Sequence, residues 1–295
     1  MSHELLSSPL RRRGALHLVA ASCATLAWPA RAQSAAAPRL VTVGGAITEI
    51  VYLLGAESQL VGTDTTSLYP AAALATPKVG YMRALSAEGL LSLKPDAVIT
   101  TNEAGPPVVL DQVRSAGVKI EVIQAQHKWA EVQAKVHAVG RAAAREAQAQ
   151  ALLARLDAEW SFVQQRVAAA GGRKPRVLFV LSHSANPQVS GDKTAANSVI
   201  QYAGGVNCIA GFQGYRPMNA EALASAAPDI VLTTSQGIEA QGGVDRFWSR
   251  PELALTPAYR KRALIALDAL LLLGFGPRTP QAVRETHERF AALMA

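Results

Sequence analysis

The chain has 295 residues, of which 49% are hydrophobic and 17% are charged, and its formal net charge is +7. This length and hydrophobic content are sufficient for one large or two medium domains stabilised by burial. The sequence lacks the dense clusters of Lys and Arg that are typical of nucleic-acid-binding proteins, so we expect no nucleic acid as a partner.

The first 32 residues have the pattern of a cleavable signal peptide. Arg11, Arg12 and Arg13 precede an apolar run, which ends in an A-x-A cleavage pattern at Ala30-Arg31-Ala32. The run is too short for an ordinary membrane span, and no later stretch has about 20 uninterrupted apolar residues. We therefore expect export by the Sec or the twin-arginine route. Removal of this segment leaves a net charge of +4 and a single cysteine, Cys208, which excludes an intrachain disulfide.

Residues 39–129 alternate between short β-branched runs and helical patterns, which predicts an N-terminal α/β lobe. Strands separated by helices indicate a parallel sheet covered by helices on both faces. The predicted strands are Leu40–Val43, Leu60–Gly62, Ala97–Thr100 and Ile120–Ile123.

Residues 130–171 are rich in Ala, Gln, Arg and Leu, contain no proline, and predict one long linking helix that ends at Gly171-Gly172. Residues 175–295 then return to the alternating pattern and predict a C-terminal α/β lobe. Its expected strands are Arg176–Leu181, Ile230–Thr233 and Leu264–Leu267. The predicted fold class is therefore α/β, with two Rossmann-like lobes of parallel sheet joined by one long backbone helix.

The two lobes share a sequence repeat. Residues 86–103, SAEGLLSLKPDAVITTNE, match residues 219–236, NAEALASAAPDIVLTTSQ, at nine of eighteen positions with a constant offset of 133. The same register aligns Arg83 with Arg216. Because ligands of open α/β sheets bind beyond the carboxyl ends of the strands, the loops around these repeats should face a cleft between the lobes.

The chain is predicted to contain a signal peptide, a lobe, a long helix and a second lobe, in this order. It also contains the segment VGGAITEIVYLLGAESQLVGTD and the repeated unit AE…PD.V..TT. These features together resemble the periplasmic binding proteins that serve metal-chelate ABC importers. This is the helical-backbone group that carries cobalamin, ferric siderophores or haem. The segments VGYMRALSAEGLLSLKPD and KTAANSVIQYAGGVN resemble its haem-binding branch. The resemblance covers residues 40–290 and implies a monomer in the periplasm that takes ferric haem as its ligand.

Tyr81 and Arg83 are the first candidate site residues. Ferric iron favours an anionic oxygen ligand, and tyrosine is an established axial ligand of haem iron. An unperturbed phenol has a pKa of about 10, so the metal and a nearby cation must stabilise the deprotonated form. Arg83 supplies that cation, and the resemblance implies that Tyr81 ligates the iron. The alternative is a tyrosine packed on the lobe surface.

The second lobe offers candidates for the haem propionates. Guanidinium groups pair well with carboxylates, so Arg216 could hold the propionates from across the cleft. Tyr215 offers a ring to stack on the macrocycle. The simpler alternatives are a solvated arginine and an ordinary packed tyrosine.

His183 follows the strand Arg176–Leu181, at a carboxyl end where a ligand would lie. It is a candidate second haem-iron ligand, and a hydrogen-bonded loop histidine is the alternative. Some haem-branch members that it resembles accommodate two stacked haems, so one or two haems per chain are compatible with the sequence. His127, His137 and His287 are scattered and predict solvated or capping roles.

Glu88 and Glu221 occupy equivalent repeat positions in the first turn of a helix, where the helix dipole favours a carboxylate. The resemblance implies a further role, in which both residues pair with arginines of an inner-membrane ABC permease dimer driven by its ATPase. The sequence shows no P-loop, H-E-x-x-H or G-x-S-x-G motif, so we expect no enzyme. The remaining alternatives are cobalamin or a ferric siderophore as ligand, an exported metal-dependent enzyme, and a scavenger without a permease.

Overall fold

A computed structural model describes residues 37–182 and 186–295. The predicted signal peptide, residues 1–32, and the candidate ligand His183 lie outside these described residues. Within the two described ranges, no helix combines the length and the apolar character needed to cross a lipid bilayer.

The N-terminal lobe contains a four-stranded parallel sheet. Its strands are β1 (Leu40–Thr42), β2 (Leu60–Thr63), β5 (Ala97–Thr101) and β6 (Lys119–Ile123), and a separate hairpin is formed by β3 (Gly80–Tyr81) and β4 (Ala84–Leu85). The sheet order is β2-β1-β5-β6, and all its pairs are parallel. The predicted strands are confirmed to within one residue at each end. The connecting helices are α1 (Gly45–Leu53), α2 (Ala87–Ser92) and α3 (Pro107–Ser115).

Both faces of this sheet are buried. Leu40 and Ile99 point into a cluster under one face, whereas Val41 and Val98 point into a cluster under the other. This alternation follows from the two-residue period of a strand, and apolar residues at consecutive positions are typical of parallel strands that helices cover on both sides.

The C-terminal lobe has a mixed six-stranded sheet. The predicted strands appear as β7 (Arg176–Leu181), β11 (Ile230–Thr234) and β12 (Leu264–Leu267), and these three are parallel, as predicted. The additional strands are β8 (Gln188–Ser190), β9 (Val206–Asn207) and β10 (Tyr215–Pro217). The helices are α6 (Ala195–Tyr202), α7 (Ala220–Ala226), α8 (Ser235–Ala240), α9 (Val244–Trp248), α10 (Pro257–Lys261), α11 (Ala269–Leu273) and α12 (Thr279–Met294).

Two of the three strands that the sequence did not predict, β8 and β10, extend one side of this sheet. β8 pairs antiparallel with β7, and β10 pairs antiparallel with β8. Both are three residues long, too short for a strand pattern to show in the sequence. Pro217 is tolerated in β10 because β10 is an edge strand, where one side needs no hydrogen-bond donor.

The prediction of one unbroken helix over residues 130–171 is wrong. The segment forms α4 (Trp129–Ala142) and α5 (Glu146–Ala169), which are separated by a turn with Ala144 in the left-handed region at φ 51°. The helices fold back on each other, since Trp129 Nε1 donates to Asp157 Oδ1 at 2.6 Å. A Cβ at Gly140 would lie 2.6 Å from the Cβ of Ala149, so glycine permits this close approach. The domain boundary shifts accordingly, and α4 belongs to the N-terminal lobe.

The 24-residue helix α5 is the linking helix that the sequence predicted. Its first half contributes Leu152, Leu153 and Leu156 to the core of the N-terminal lobe, and Val163 in its second half lies in the core of the C-terminal lobe. A helix of this length spans about 36 Å. One rigid element is therefore anchored in both cores.

Hydrogen bonds from a buried lysine and one ion pair also join the lobes. Lys135 of α4 is buried, and its Nζ lies 2.6 Å from Glu131 Oε1 in the same helix. The same Nζ donates to the carbonyl oxygens of Gly274 and Phe275 in the other lobe. Arg278 Nε donates to both carboxylate oxygens of Glu49 of α1 at 2.9 and 3.0 Å. These contacts tie the two lobes together at positions far apart in the sequence.

Candidate ligand-binding cleft

A cavity of about 870 Å³ lies between the two lobes. Residues directly after the sheet strands line it, including Glu103 after β5, Gln236 after β11 and Ala269 after β12. The cleft therefore lies at the carboxyl ends of the strands, where the fold predicts a ligand.

The repeat supplies equivalent positions from both lobes to this cleft. With the offset of 133, Glu103 corresponds to Gln236 and Met82 corresponds to Tyr215, and all four residues line the cavity. Glu103 and Gln236 occupy the last position of the aligned segments. The repeat could therefore have identified them, although the sequence analysis did not select them.

Tyr81 and Arg83 lie in the hairpin of β3 and β4, at the N-terminal side of the cleft. Gly80 adopts φ 102°, a value that favours glycine, and the two-residue turn that follows Tyr81 brings Arg83 back beside it. Arg83 Nη1 donates a hydrogen bond to Tyr81 Oη at 3.0 Å. Tyr81 is 45% exposed, so its phenol is accessible to a ligand.

Glu103 completes a charged group with this pair. Its Oε1 lies 3.6 Å from Arg83 Nη2. Burial lowers the pKa of the Arg83 guanidinium, but the hydrogen bond to Tyr81 and the negative charge of Glu103 outweigh burial and raise that pKa above its usual value. Arg83 therefore stays cationic while it contacts the phenol oxygen.

Tyr215 forms part of the opposite wall and differs chemically from Tyr81. Its ring lies 6.5 Å from the ring of Phe179, and its hydroxyl hydrogen-bonds the Thr194 side chain. Desolvation, followed by the charge of Glu103, raises the pKa of Tyr215 to about 12. Tyr215 is thus a neutral phenol that lines the cleft, and its stacking on a ligand stays a prediction.

Arg216 does not line the cleft in the structure. Its guanidinium carbon lies 4.4 Å from the centre of the Phe212 ring, which is a cation–π contact. Tyr215 and Arg216 point to opposite faces because successive residues of a strand alternate. The predicted pairing of Arg216 with a ligand carboxylate stays a prediction and would require this side chain to move.

The base of the cleft contains polar groups that the sequence analysis did not identify. The buried Glu131–Lys135 pair lines it, and so does the half-buried His127, whose ring lies 5.5 Å from that of Phe275. His127 therefore occupies the cleft and not the solvated or capping position predicted for it. His137 is exposed, as predicted, and His287 Nδ1 hydrogen-bonds the carbonyl oxygen of Ala203 at 2.9 Å.

Glu88 and Glu221 lie in the first turns of α2 and α7, as predicted. The N-caps are equivalent, because the side chain of Ser86 accepts from Gly89 N and that of Asn219 accepts from Ala222 N, both at 3.0 Å. Both glutamates are exposed, and neither forms an ion pair with another described residue.

Across residues 37–182 and 186–295, no three His, Cys, Asp or Glu side chains converge to hold a metal ion. Cys208 is free and partly buried, and desolvation raises its pKa to about 12, which disfavours a reactive thiolate.

A protein family described as "Periplasmic binding protein" matches residues 40–271. Two solved structures are similar over most of the chain. The periplasmic haem-binding protein BhuT in complex with two haems is 46% identical, with a TM-score of 0.83 over 88% of this chain and 99% of BhuT. The periplasmic haem-binding protein RhuT from Roseiflexus sp. RS-1, in apo form, is 38% identical, with a TM-score of 0.84 over 88% of this chain and all of RhuT.

A more distant relative is named for a different ligand. A vitamin B12-binding protein of Vibrio cholerae is 27% identical over 251 residues, which cover 84% of this chain and 87% of that protein.

Proposed function

Because the chain belongs to the periplasmic binding protein family, whose members are substrate-binding proteins of ABC transporters and not enzymes, we propose that it captures ferric haem in the interlobe cleft and delivers it to an inner-membrane ABC permease. Haem is the transported ligand, and no covalent step is required.

One observation carries the proposal, namely the half-exposed phenol of Tyr81 held by the Arg83 guanidinium at the cleft. A phenolate oxygen is a hard anionic ligand suited to ferric iron. A cation at hydrogen-bond distance stabilises the phenolate relative to the phenol. Arg83 is itself kept in place by Glu103, so the iron-binding atom is positioned before the ligand arrives.

The remainder of the cleft suits a flat apolar macrocycle. Its volume of about 870 Å³ is near the upper end of the range for small-molecule sites. Leu68, Met82 and Leu270 line it together with the ring of Tyr215. These side chains would contact the porphyrin faces and shield them from water.

The similar structures favour haem as the ligand. BhuT holds two haems, and both BhuT and RhuT are named haem-binding proteins at identities well above that of the vitamin B12-binding relative. In this proposal Tyr81 ligates the first haem. His183 either completes the coordination of that haem or ligates a second, stacked one, which gives one or two haems per chain.

Delivery would use the exposed glutamates of the two lobes. Glu88 and Glu221 are related by the repeat and are unpaired among the described residues, so they could meet two equivalent cationic sites on a permease dimer. The protein would act as a monomer in the periplasm after removal of residues 1–32. Energy for transport would come from the permease's ATPase.

The vitamin B12-binding relative supports cobalamin as the alternative ligand. Purified mature protein should be titrated with hemin while its Soret absorbance is recorded, and the titration should be repeated in the presence of excess cobalamin. We expect saturation at one or two equivalents of hemin that cobalamin does not displace. His183→Ala should lower the endpoint from two to one if each haem has its own protein ligand. Saturable cobalamin binding without a hemin response would contradict the proposal.

A further inference from the structure

Three cationic side chains line the cleft within the described part of the chain, and two of them already have partners. Arg83 contacts Tyr81 and Glu103, and Lys135 contacts Glu131 and two carbonyl oxygens. Lys193 is exposed, and its ammonium group forms no ion pair or hydrogen bond with any other described residue. It is therefore the cation of the cleft wall that remains available to a ligand.

The backbone that carries Lys193 is held firmly in place. Gly191 N donates to Gly214 O at 2.8 Å, Asp192 N donates to Phe212 O at 2.8 Å, and Gly214 N donates back to Asp192 O at 2.9 Å. A Cβ at Gly191 would lie 2.4 Å from the Phe212 carbonyl oxygen, so only glycine allows the two segments to approach this closely. The segment before Lys193 is thus fixed to the strand that carries Tyr215.

Lys193 itself adopts φ 56°, the left-handed region that a residue with a side chain rarely occupies. This conformation directly precedes Thr194, whose hydroxyl caps α6 by accepting from Asn197 N at 3.0 Å. The first turn of a helix favours a nearby negative charge. The N-terminus of α6 and the ammonium group of Lys193 therefore both attract an anionic group. Lys193 and the cap together present positive potential to the cleft.

We infer that Lys193 is the cation of the C-terminal lobe that pairs with a carboxylate of the bound ligand. Arg83, the cation of the N-terminal lobe, contacts the phenol oxygen of Tyr81. This inference rests on the proposed function and names the residue that recognises the haem propionates. It assigns to Lys193 the role that the sequence suggested for Arg216, whose guanidinium stacks on Phe212 outside the cleft lining. A carboxylate reaching Lys193 needs no rearrangement of an existing contact.

The inference is tested by comparing hemin with its dimethyl ester, in which both carboxylates are neutral. The proteins are the wild type, Lys193→Ala, Lys193→Arg, Arg216→Ala for the competing assignment and, as a matched control, Lys119→Ala, which changes an exposed lysine outside the cleft lining. We expect Lys193→Ala to weaken hemin binding by about tenfold or more, to leave ester binding unchanged, and to be rescued by Lys193→Arg. Arg216→Ala should bind hemin as the wild type does. Because Lys193 is exposed, its two variants should unfold at the wild-type temperature.

Unchanged hemin affinity in Lys193→Ala, an equal loss for hemin and ester, or a selective loss in Arg216→Ala instead would overturn the inference. Each of these results leaves haem capture by the wild type intact. A wild-type protein that takes up neither porphyrin would refute the proposed function itself and this inference with it.

Discussion

Arg83 donates a hydrogen bond to the phenol oxygen of Tyr81 at 3.0 Å. The two residues are joined by a single intervening residue in a tight hairpin, so their separation is set by local backbone geometry. The N-terminal lobe therefore presents a phenol oxygen and a guanidinium group at hydrogen-bond distance from each other.

Replacing Arg83 should weaken hemin binding. In Arg83→Gln, the phenol oxygen of Tyr81 loses the guanidinium that lies at hydrogen-bond distance, so the affinity for hemin should fall by about tenfold. Hemin titration followed by Soret absorbance measures the affinity. Arg83→Lys keeps the charge and should lose less. An unchanged affinity in Arg83→Gln would show that Arg83 does not support the ligand atom.

The buried pair between Glu131 and Lys135 should make a large contribution to stability. Lys135→Met leaves the Glu131 carboxylate buried without its cation, which is expected to lower the free energy of unfolding by about 3–5 kcal/mol. The double variant Glu131→Gln/Lys135→Met removes the unpaired charge and should be less destabilised. Urea unfolding followed by circular dichroism measures both effects.

A surface pair serves as the control for that experiment. Arg155 Nη1 lies 3.3 Å from Glu159 Oε1 on α5, and both side chains are exposed. Arg155→Ala should change the free energy of unfolding by less than about 1 kcal/mol. Equal effects of Lys135→Met and Arg155→Ala would contradict the structural role assigned to the buried lysine.

Tyr215 should resist ionisation in the folded protein. Its pKa is raised to about 12, whereas an unfolded tyrosine ionises near pH 10. A raised folded-state pKa stabilises the fold fully below the unfolded value, and this contribution is lost as the pH rises from about 10 to about 12. Comparing unfolding of the wild type and Tyr215→Phe over this range should show a steeper alkaline loss in the wild type. Parallel curves would refute the assignment.

Charge reversal of the two repeat-related glutamates should affect delivery and leave capture unchanged. Glu88→Lys/Glu221→Lys is expected to reduce ATP-dependent haem uptake into proteoliposomes containing the cognate permease, because each lobe then repels a cationic partner. Hemin titration should give the wild-type affinity. The control is Glu57→Lys, another exposed glutamate away from both helices. Undiminished uptake by the double variant would favour a scavenger without a permease.

The sequence predicted the seven principal strands and the location of the cleft because both depend on strong local signals. Apolar runs rich in β-branched residues predict the strands, and the repeat predicts which loops of the two lobes are equivalent. Tyr81 and Arg83 were selected because a phenol and a nearby cation suit ferric iron and because their segment resembles the haem-binding branch. Only one residue separates them, so their proximity is also a local property.

Features that depend on tertiary contact were not predictable from pattern. The turn at Ala144 interrupts a segment of good helix formers, and it is accompanied by tertiary contacts such as the packing of Gly140 on Ala149 and the hydrogen bond from Trp129 to Asp157. The bonds from Lys135 to Gly274 and Phe275 join residues about 140 positions apart, which no local pattern reveals. Likewise, the repeat placed Arg216 opposite Arg83, but strand alternation in β10 turns its side chain away from the cleft.

The most direct test of haem capture is hemin titration of Tyr81→Phe, with Tyr52→Phe as a tyrosine control outside the cleft lining. We predict that Tyr81→Phe loses the wild-type Soret spectrum and the iron–phenolate vibration in resonance Raman spectra, whereas Tyr52→Phe retains both. A Tyr81→Phe protein that binds hemin with the wild-type spectrum and affinity would contradict the account.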